Sequence, residues 1–202
     1  MKHLNDYITE KLRINSNIKV YNYYPKNREE LLNIIRKRLE KDKNADLNDI
    51  DVSKITDFNH LFEYLDPGKI DISNWDMSNA TTLNGMFSTC FNFNCDLSNW
   101  DVSKVDNFSF MFNHCNIFNS DLSKWDVSKG KTMTCMFTDC IEFNSDLSKW
   151  DVSNVDKFSG MFRNCNKLRS DFSNWKVKEK SHQLHMFMNV NDAIIPKWYK
   201  YS

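Results

Sequence analysis

Apolar residues along this chain recur with a period of 25. Trp75, Trp100, Trp125, Trp150 and Trp175 keep that spacing without a slip, as do the Met-Phe pairs beginning at Met86, Met111, Met136, Met161 and Met186. Cys90, Cys115, Cys140 and Cys165 follow in register, and so do Phe93, Phe118 and Phe143, with Leu168 in the same column. The unit reads D-L-S-x-W-D-V-S-x-V-x-x-F-x-x-M-F-x-x-C-x-x-F-N-x. Its six copies begin at Asp46, Asp71, Asp96, Asp121, Asp146 and Asp171. Such self-similarity marks an array in which one unit cannot bury its apolar face alone and relies on its neighbours. The end copies are degenerate: Ile50 stands for Trp and Leu61-Phe62 for Met-Phe in the first, and Lys176, Lys178 and Val190 depart from the pattern in the last. End units meet water on one side, which accounts for the drift.

Within a unit the period changes. Leu97, Trp100 and Val102 lie among two D-x-S segments, a pattern that predicts a short strand and a turn. Val105, Phe108, Met111, Phe112 and Cys115 then follow spacings of 3, 3, 1 and 3, the stripe of a short helix facing the core. The expected fold is an α/β repeat solenoid of six 25-residue strand–turn–short helix coils over residues 46–195. Residues 1–45 carry no repeat and predict an N-terminal α/β cap. Its strand runs over Ile18–Tyr24 and ends at Pro25. Asn27 and Glu30 then form a capping box for a helix whose face is Leu31, Leu32, Ile34, Ile35 and Leu39. Residues 196–202 form a C-terminal cap, with Pro196 stopping the array and Trp198 and Tyr199 lying across the last coil.

Composition narrows the partners. Lysine plus arginine equals aspartate plus glutamate, at 27 each, so no net charge draws the chain to nucleic acid or to an anionic membrane. Neither partner is expected. The first residues show no signal peptide, and no run of 18 apolar residues occurs. The expected compartment is the cytoplasm, that of the host cell if a virus encodes the chain, with its six cysteines reduced.

Candidate chemistry is sparse. The cysteine column reads as small buried hydrophobes, with Cys95 and Cys135 off the column and partly exposed. No His pair completes a tetrahedral site beside Cys90/Cys95 or Cys135/Cys140, so no metal is assigned. Two aspartate ladders, one through Asp96 and Asp121 and one through Asp101 and Asp126, are expected to accept turn N–H groups. Calcium between coils is the weaker reading, since the Gly-rich, Asp-bearing nonapeptide of calcium-binding rolls is missing. Every coil carries the same carboxylate pair, whereas glycoside hydrolysis needs two carboxyls in different environments. No catalytic set and no cofactor motif is found, and the chain reads as a non-enzyme. Function then falls to positions that vary between coils. Lys124, Lys129, Lys131 and Lys149 are expected to form a basic stripe in the middle coils, and these four with Lys104 are the candidates for binding a protein partner.

The string DLSNWDVS at 96–103, with the Val-x-x-Phe-x-x-Met-Phe-x-x-Cys-x-x-Phe-Asn tail that follows it, resembles the BspA-type leucine-rich repeat, also catalogued as DUF285. The resemblance covers roughly residues 46–195. It implies a leucine-rich-repeat-like solenoid with parallel strands on one face, and a role in protein binding. Members occur in bacterial surface proteins, mycoplasmas, protists, phages and large viruses. Lacking the signal peptide and wall anchor of the surface members, this chain is expected to be an intracellular or virus-encoded binding scaffold. The alternative is a structural component of a virion, or a homo-oligomer assembled through the caps.

Overall fold

A computed structural model describes residues 19–190 and 195–200. Successive 25-residue units stack in register, each residue facing its equivalent in the next coil. The register is carried by a ladder one residue wide, in which parallel bridges join Asp57, Thr82, Asn107, Thr132, Lys157 and His182 in succession.

The coils are built from turns. Asp96 Oδ1 accepts the N–H of Ser98 at 2.9 Å, and Asp101 Oδ1 that of Ser103 at 3.0 Å. The same pairs recur at Asp121, Asp126, Asp146 and Asp151. An aspartate bonding two residues onward mimics a backbone turn, which is why D-x-S suits these corners. Further turns close by bonds three residues apart, such as Trp100 N to Leu97 O (3.1 Å) and Val105 N to Val102 O (2.9 Å).

The α/β solenoid expected from the apolar spacing is not formed. Among the described residues there is one α-helix, in the N-terminal cap, and no sheet, only isolated bridges. The stripe from Val105 to Cys115 is not helical because two columns adopt positive φ. One contains His60, Gly85, Phe110, Cys135, Gly160 and His185. The other contains Tyr64, Thr89, His114, Asp139, Asn164 and Asn189. Each residue is third in a turn closed three residues apart, as in Met111 N to Phe108 O and Cys115 N to Phe112 O. Type II turns require positive φ at that place. A left-handed residue every fourth position ends a right-handed helix before it nucleates.

These turns split the backbone amides by parity. In coil three the N–H groups of Phe108, Phe110, Phe112 and His114 donate to Thr132, Thr134, Met136 and Thr138 of coil four at 2.8–3.0 Å. The intervening amides close turns within the coil. The same division holds at each of the five junctions. Left-handed conformation costs a non-glycine residue about 1–2 kcal/mol. In coils one to five the inter-coil bonds donated by these same residues hold them there.

Side-chain columns fill the interior. Phe62, Phe87, Phe112, Phe137, Phe162 and Phe187 stack at 5.3–5.7 Å between centroids. Phe93, Phe118 and Phe143 lie against them within their own coils at 4.0–4.2 Å. Offset stacks of this kind contribute about 0.5–1.5 kcal/mol beyond area burial. Each Trp donates its Nε1–H to a carbonyl in the preceding coil, Trp125 to Leu97 at 2.9 Å and Trp150 to Leu122 at 3.0 Å. The buried indole is thereby satisfied and the coils are tied.

The helix α1, Arg28–Lys41, covers the first coil. Asn27 Oδ1 accepts Glu30 N at 3.0 Å, as the capping pattern requires. Leu31, Ile35 and Leu39 are buried, and Leu32 and Ile34 pack half-buried beside them. Arg38 forks onto Asp49 at 3.0 and 3.1 Å, and Arg28 Nε donates to Asn59 O at 2.6 Å. The expected strand before α1 reduces, in its described part, to one bridge between Tyr23 and Ile50, while Ile18 lies outside the described residues. At the other end Trp198 extends the Trp column. It stacks on Trp175 at 6.5 Å and donates to Phe172 O, and Tyr199 meets Phe187 edge-on. No helix among the described residues is long and apolar enough to cross a membrane.

Trp125→Phe removes the indole donor and part of a column shared with Trp100 and Trp150. We expect a loss of about 2 kcal/mol in urea-induced unfolding, with the far-ultraviolet spectrum unchanged.

Candidate functional site

The turn at the start of each unit leaves a groove along the stack. Its widest part, about 660 Å³, is lined by Asn119, Asp121, Ser123, Lys124, Asp146 and Lys149, among others. Clefts sharing its walls continue it to Asp96 and Cys95 on one side and to Arg169 and Asp171 on the other. The floor is already bonded. Ser120, Ser145 and Ser170 Oγ accept the N–H of Leu97, Leu122 and Leu147 at 2.8–3.3 Å. Asn94, Asn119 and Asn144 Oδ1 accept N–H groups of the following coils at 2.9–3.1 Å, the hydrogen-bonded column that a repeated Asn suggests. The rim alternates between Asn and Lys: Asn74, Asn99, Lys124, Lys149 and Asn174 occupy one column.

The five candidate lysines do not form one stripe. Lys124 and Lys149 line this groove, whereas Lys104, Lys129 and Lys131 line a separate cleft of about 440 Å³ with Asp106, Asn154 and Asp156. There Lys131 pairs with Asp106 at 3.1 Å and Lys178 with Asp156 at 2.7 Å, while Lys104 donates to Asn79 at 2.8 Å. Those three lysines link neighbouring coils. The turn bearing Trp and the second Asp separates the two groups.

The sequence reading also missed an exposed apolar row on the turn after the cysteine column. Phe91, Ile117 and Ile141 are 48%, 45% and 38% exposed. Their signal was an apolar residue in each of three successive coils at one of the two turn positions after the cysteine, which elsewhere hold Asn, Asp, Glu, Lys or Pro.

The carboxylates of the groove are tuned alike. Backbone N–H bonds from the serine two residues on, then that serine's hydroxyl, hold Asp96, Asp121 and Asp146 below the ordinary aspartate value. Among the described residues no three His, Cys, Asp or Glu side chains converge as a metal site would need. His114 Nδ1 lies 3.2 Å from Asp139, and His60 Nδ1 lies 2.9 Å from Glu63.

The column cysteines are fully enclosed. Cys90, Cys115, Cys140 and Cys165 each donate S–H to a Phe carbonyl of the preceding coil at 2.9–3.1 Å. Burial pushes all four thiols well above the ordinary cysteine value. Cys95, expected to be partly exposed, is buried: it takes the place of Ser120 and Ser145 in their column, and burial pushes it up to about 11. Cys135 is half-buried, as expected.

A family model described as "Mycoplasma protein of unknown function, DUF285" matches residues 31–137 and 99–198. The chain belongs to the DUF285 family. No curated protein and no solved structure matches it. The two overlapping DUF285 matches together run from residue 31, within α1, through the six coils to Trp198.

Two outcomes are expected from this chemistry. Brief alkylation of the native DUF285 chain near neutral pH should label Cys135 first and spare the four column cysteines until the chain is unfolded, as peptide mass spectrometry would show. Carboxyls with depressed native values contribute stability that is complete above the unfolded aspartate value of about 3.9 and is lost as pH falls through the native values. Urea midpoints should therefore hold between about pH 7 and about pH 5 and fall below about pH 4. Asp121→Asn should lower the neutral midpoint and make that fall shallower.

Proposed function

We propose that this chain is a non-enzymatic protein-binding scaffold that receives a partner along the groove of Lys124 and Lys149. The observation that supports it is a continuous groove whose floor is bonded to the coils and whose rim carries Lys124 and Lys149 where other coils hold Asn. The floor has few free polar groups to offer a small substrate. The rim offers two lysines and the outer oxygens of Asp121 and Asp146 to side chains of an opposing surface. The carboxyl environments support a non-catalytic reading, because Asp96, Asp121, Asp146 and Asp171 are all shifted downward. Acid–base catalysis by paired carboxyls needs them driven apart. The cytoplasm fits this reading, that of a host cell if a phage or virus encodes the chain. Four thiols packed as core hydrophobes suit a reducing compartment. A second reading, a subunit of a virion or homo-oligomer, draws on Leu184 and Met188, both 45% exposed in the last coil.

Tagged protein in lysate of the source cell should enrich one dominant protein. Lys124→Glu/Lys149→Glu should reduce that enrichment at least about tenfold, the effect of removing charge contacts worth about 1.4 kcal/mol or more in total. Lys104→Glu/Lys129→Glu, on the other cleft, should leave it unchanged. Equal loss in both variants, or in neither, would remove the groove from the proposal.

A further inference from the structure

Four N–H groups in each coil are committed to the coil that follows. In coil five those of Phe158, Gly160, Phe162 and Asn164 donate to His182, Leu184, Met186 and Met188 at 2.7–2.9 Å. The matching groups in coil six belong to Gln183, His185, Phe187 and Asn189, and among the described residues nothing accepts from them. The intervening carbonyls of coil six are taken by coil five. Its other amides close turns, Met186 N on Gln183 O at 3.1 Å and Met188 N on His185 O at 3.2 Å. This end of the stack therefore presents donors in a row with no acceptors between them. Two identical donor rows cannot pair, so a second copy joined tail to tail does not complete the edge. Its complement is a chain that presents carbonyls.

Three further observations describe that chain. The core column that is Phe, Leu or Met in every other coil holds Gln183 here, and its Oε1 is buried without a partner. Leu184 and Met188 flank it, each 45% exposed, an apolar surface that the described part of the C-terminal cap leaves uncovered. The last coil and the segment after it carry Lys176, Lys178, Lys180, Lys197 and Lys200 against Asp171, Glu179 and Asp192. The carbonyl row of a second copy's first coil is not open to this edge. Arg28 of α1 already donates to Asn59 O within that row, and the buried face of α1, Leu31, Ile35 and Leu39, covers the core beside it.

We propose that the C-terminal end of the stack takes an acidic segment of another polypeptide as a seventh coil. Its carbonyls accept from Gln183, His185, Phe187 and Asn189, its apolar side chains cover Leu184 and Met188, and its carboxylates meet Lys180 and Lys197. The proposal rests on the protein-binding reading above but uses a different surface, so either can fail alone.

Amide hydrogen exchange on the full chain tests it, free and with a synthetic peptide of residues 96–120 as the probe. That peptide carries Asp96, Asp101 and Asp106 against Lys104, and Met111-Phe112 in the register of the repeat. In the free chain the four amides of coil six should exchange at least about tenfold faster than Phe158, Gly160, Phe162 and Asn164. Saturating peptide should slow them about tenfold or more, less so at high salt. Leu184→Glu/Met188→Glu should abolish the effect while the coil-five amides stay protected, and Lys124→Glu/Lys149→Glu should leave it intact. The proposal is overturned if the peptide changes nothing at these four amides, or if a scrambled peptide protects them equally. It is also overturned if they are already protected in the free chain, and protection that vanishes on dilution would make a second copy the occupant.

Discussion

The structure depends on how each coil divides its backbone amides. Along the segment from Phe108 to Cys115, one set of N–H groups points to the next coil and the intervening set closes turns within the coil. Neither set is dispensable, since an unpaired amide inside a stack costs about as much as a lost hydrogen bond. Inserting one residue would exchange the sets, sending turn amides outward and stacking amides inward. The strict 25-residue spacing follows from that constraint as much as from side-chain packing. The aromatic columns follow in turn: with the backbone locked in register, each column Phe and Trp meets its own equivalent in the next coil.

Much of this was legible in the sequence. The register, the buried columns and the D-x-S turns could be read because each depends on which residues recur, and the face of α1 and the placement of Trp198 because local apolar spacing and the stop at Pro196 mark them. The short helices were misread because the spacings of Val105, Phe108, Met111, Phe112 and Cys115 suit a helix as well as a pair of turns. The contrary signal was present in the columns between them. Gly85 and Gly160 share one, and His114, Asp139, Asn164 and Asn189 share another, all residue types tolerant of positive φ. The lysines were misgrouped for a different reason. Lys124 and Lys129 are close in sequence, but the turn through Trp125 and Asp126 places them on different clefts.

The repeat also determines which chemistry is spent on structure. Each aspartate at a corner is bound to a serine amide, each column thiol to a phenylalanine carbonyl, each indole to the coil before it. Groups that look reactive in the sequence are thus occupied. What remains is the rim of the groove, where replacing Asn by Lys leaves the coil beneath untouched. A frame that keeps its polar groups internally satisfied tolerates change at such positions, and recognition has room to vary there.

The stack is polar along its axis, and this polarity decides what can cover each end. The first coil presents carbonyls, which a helix can cover: α1 lays Leu31, Ile35 and Leu39 on the core and reaches Asn59 O with a guanidinium. The last coil presents amides, and a helix cannot serve them in the same way. The carbonyls of a helix interior are bound to its own N–H groups four residues on, and only its last turn has any to give. Trp198 and Tyr199 cover the ring columns of this end but bring no described carbonyl to Gln183, His185, Phe187 or Asn189. Only a chain in the conformation of another coil, with alternate carbonyls facing back along the axis, matches all four donors at once.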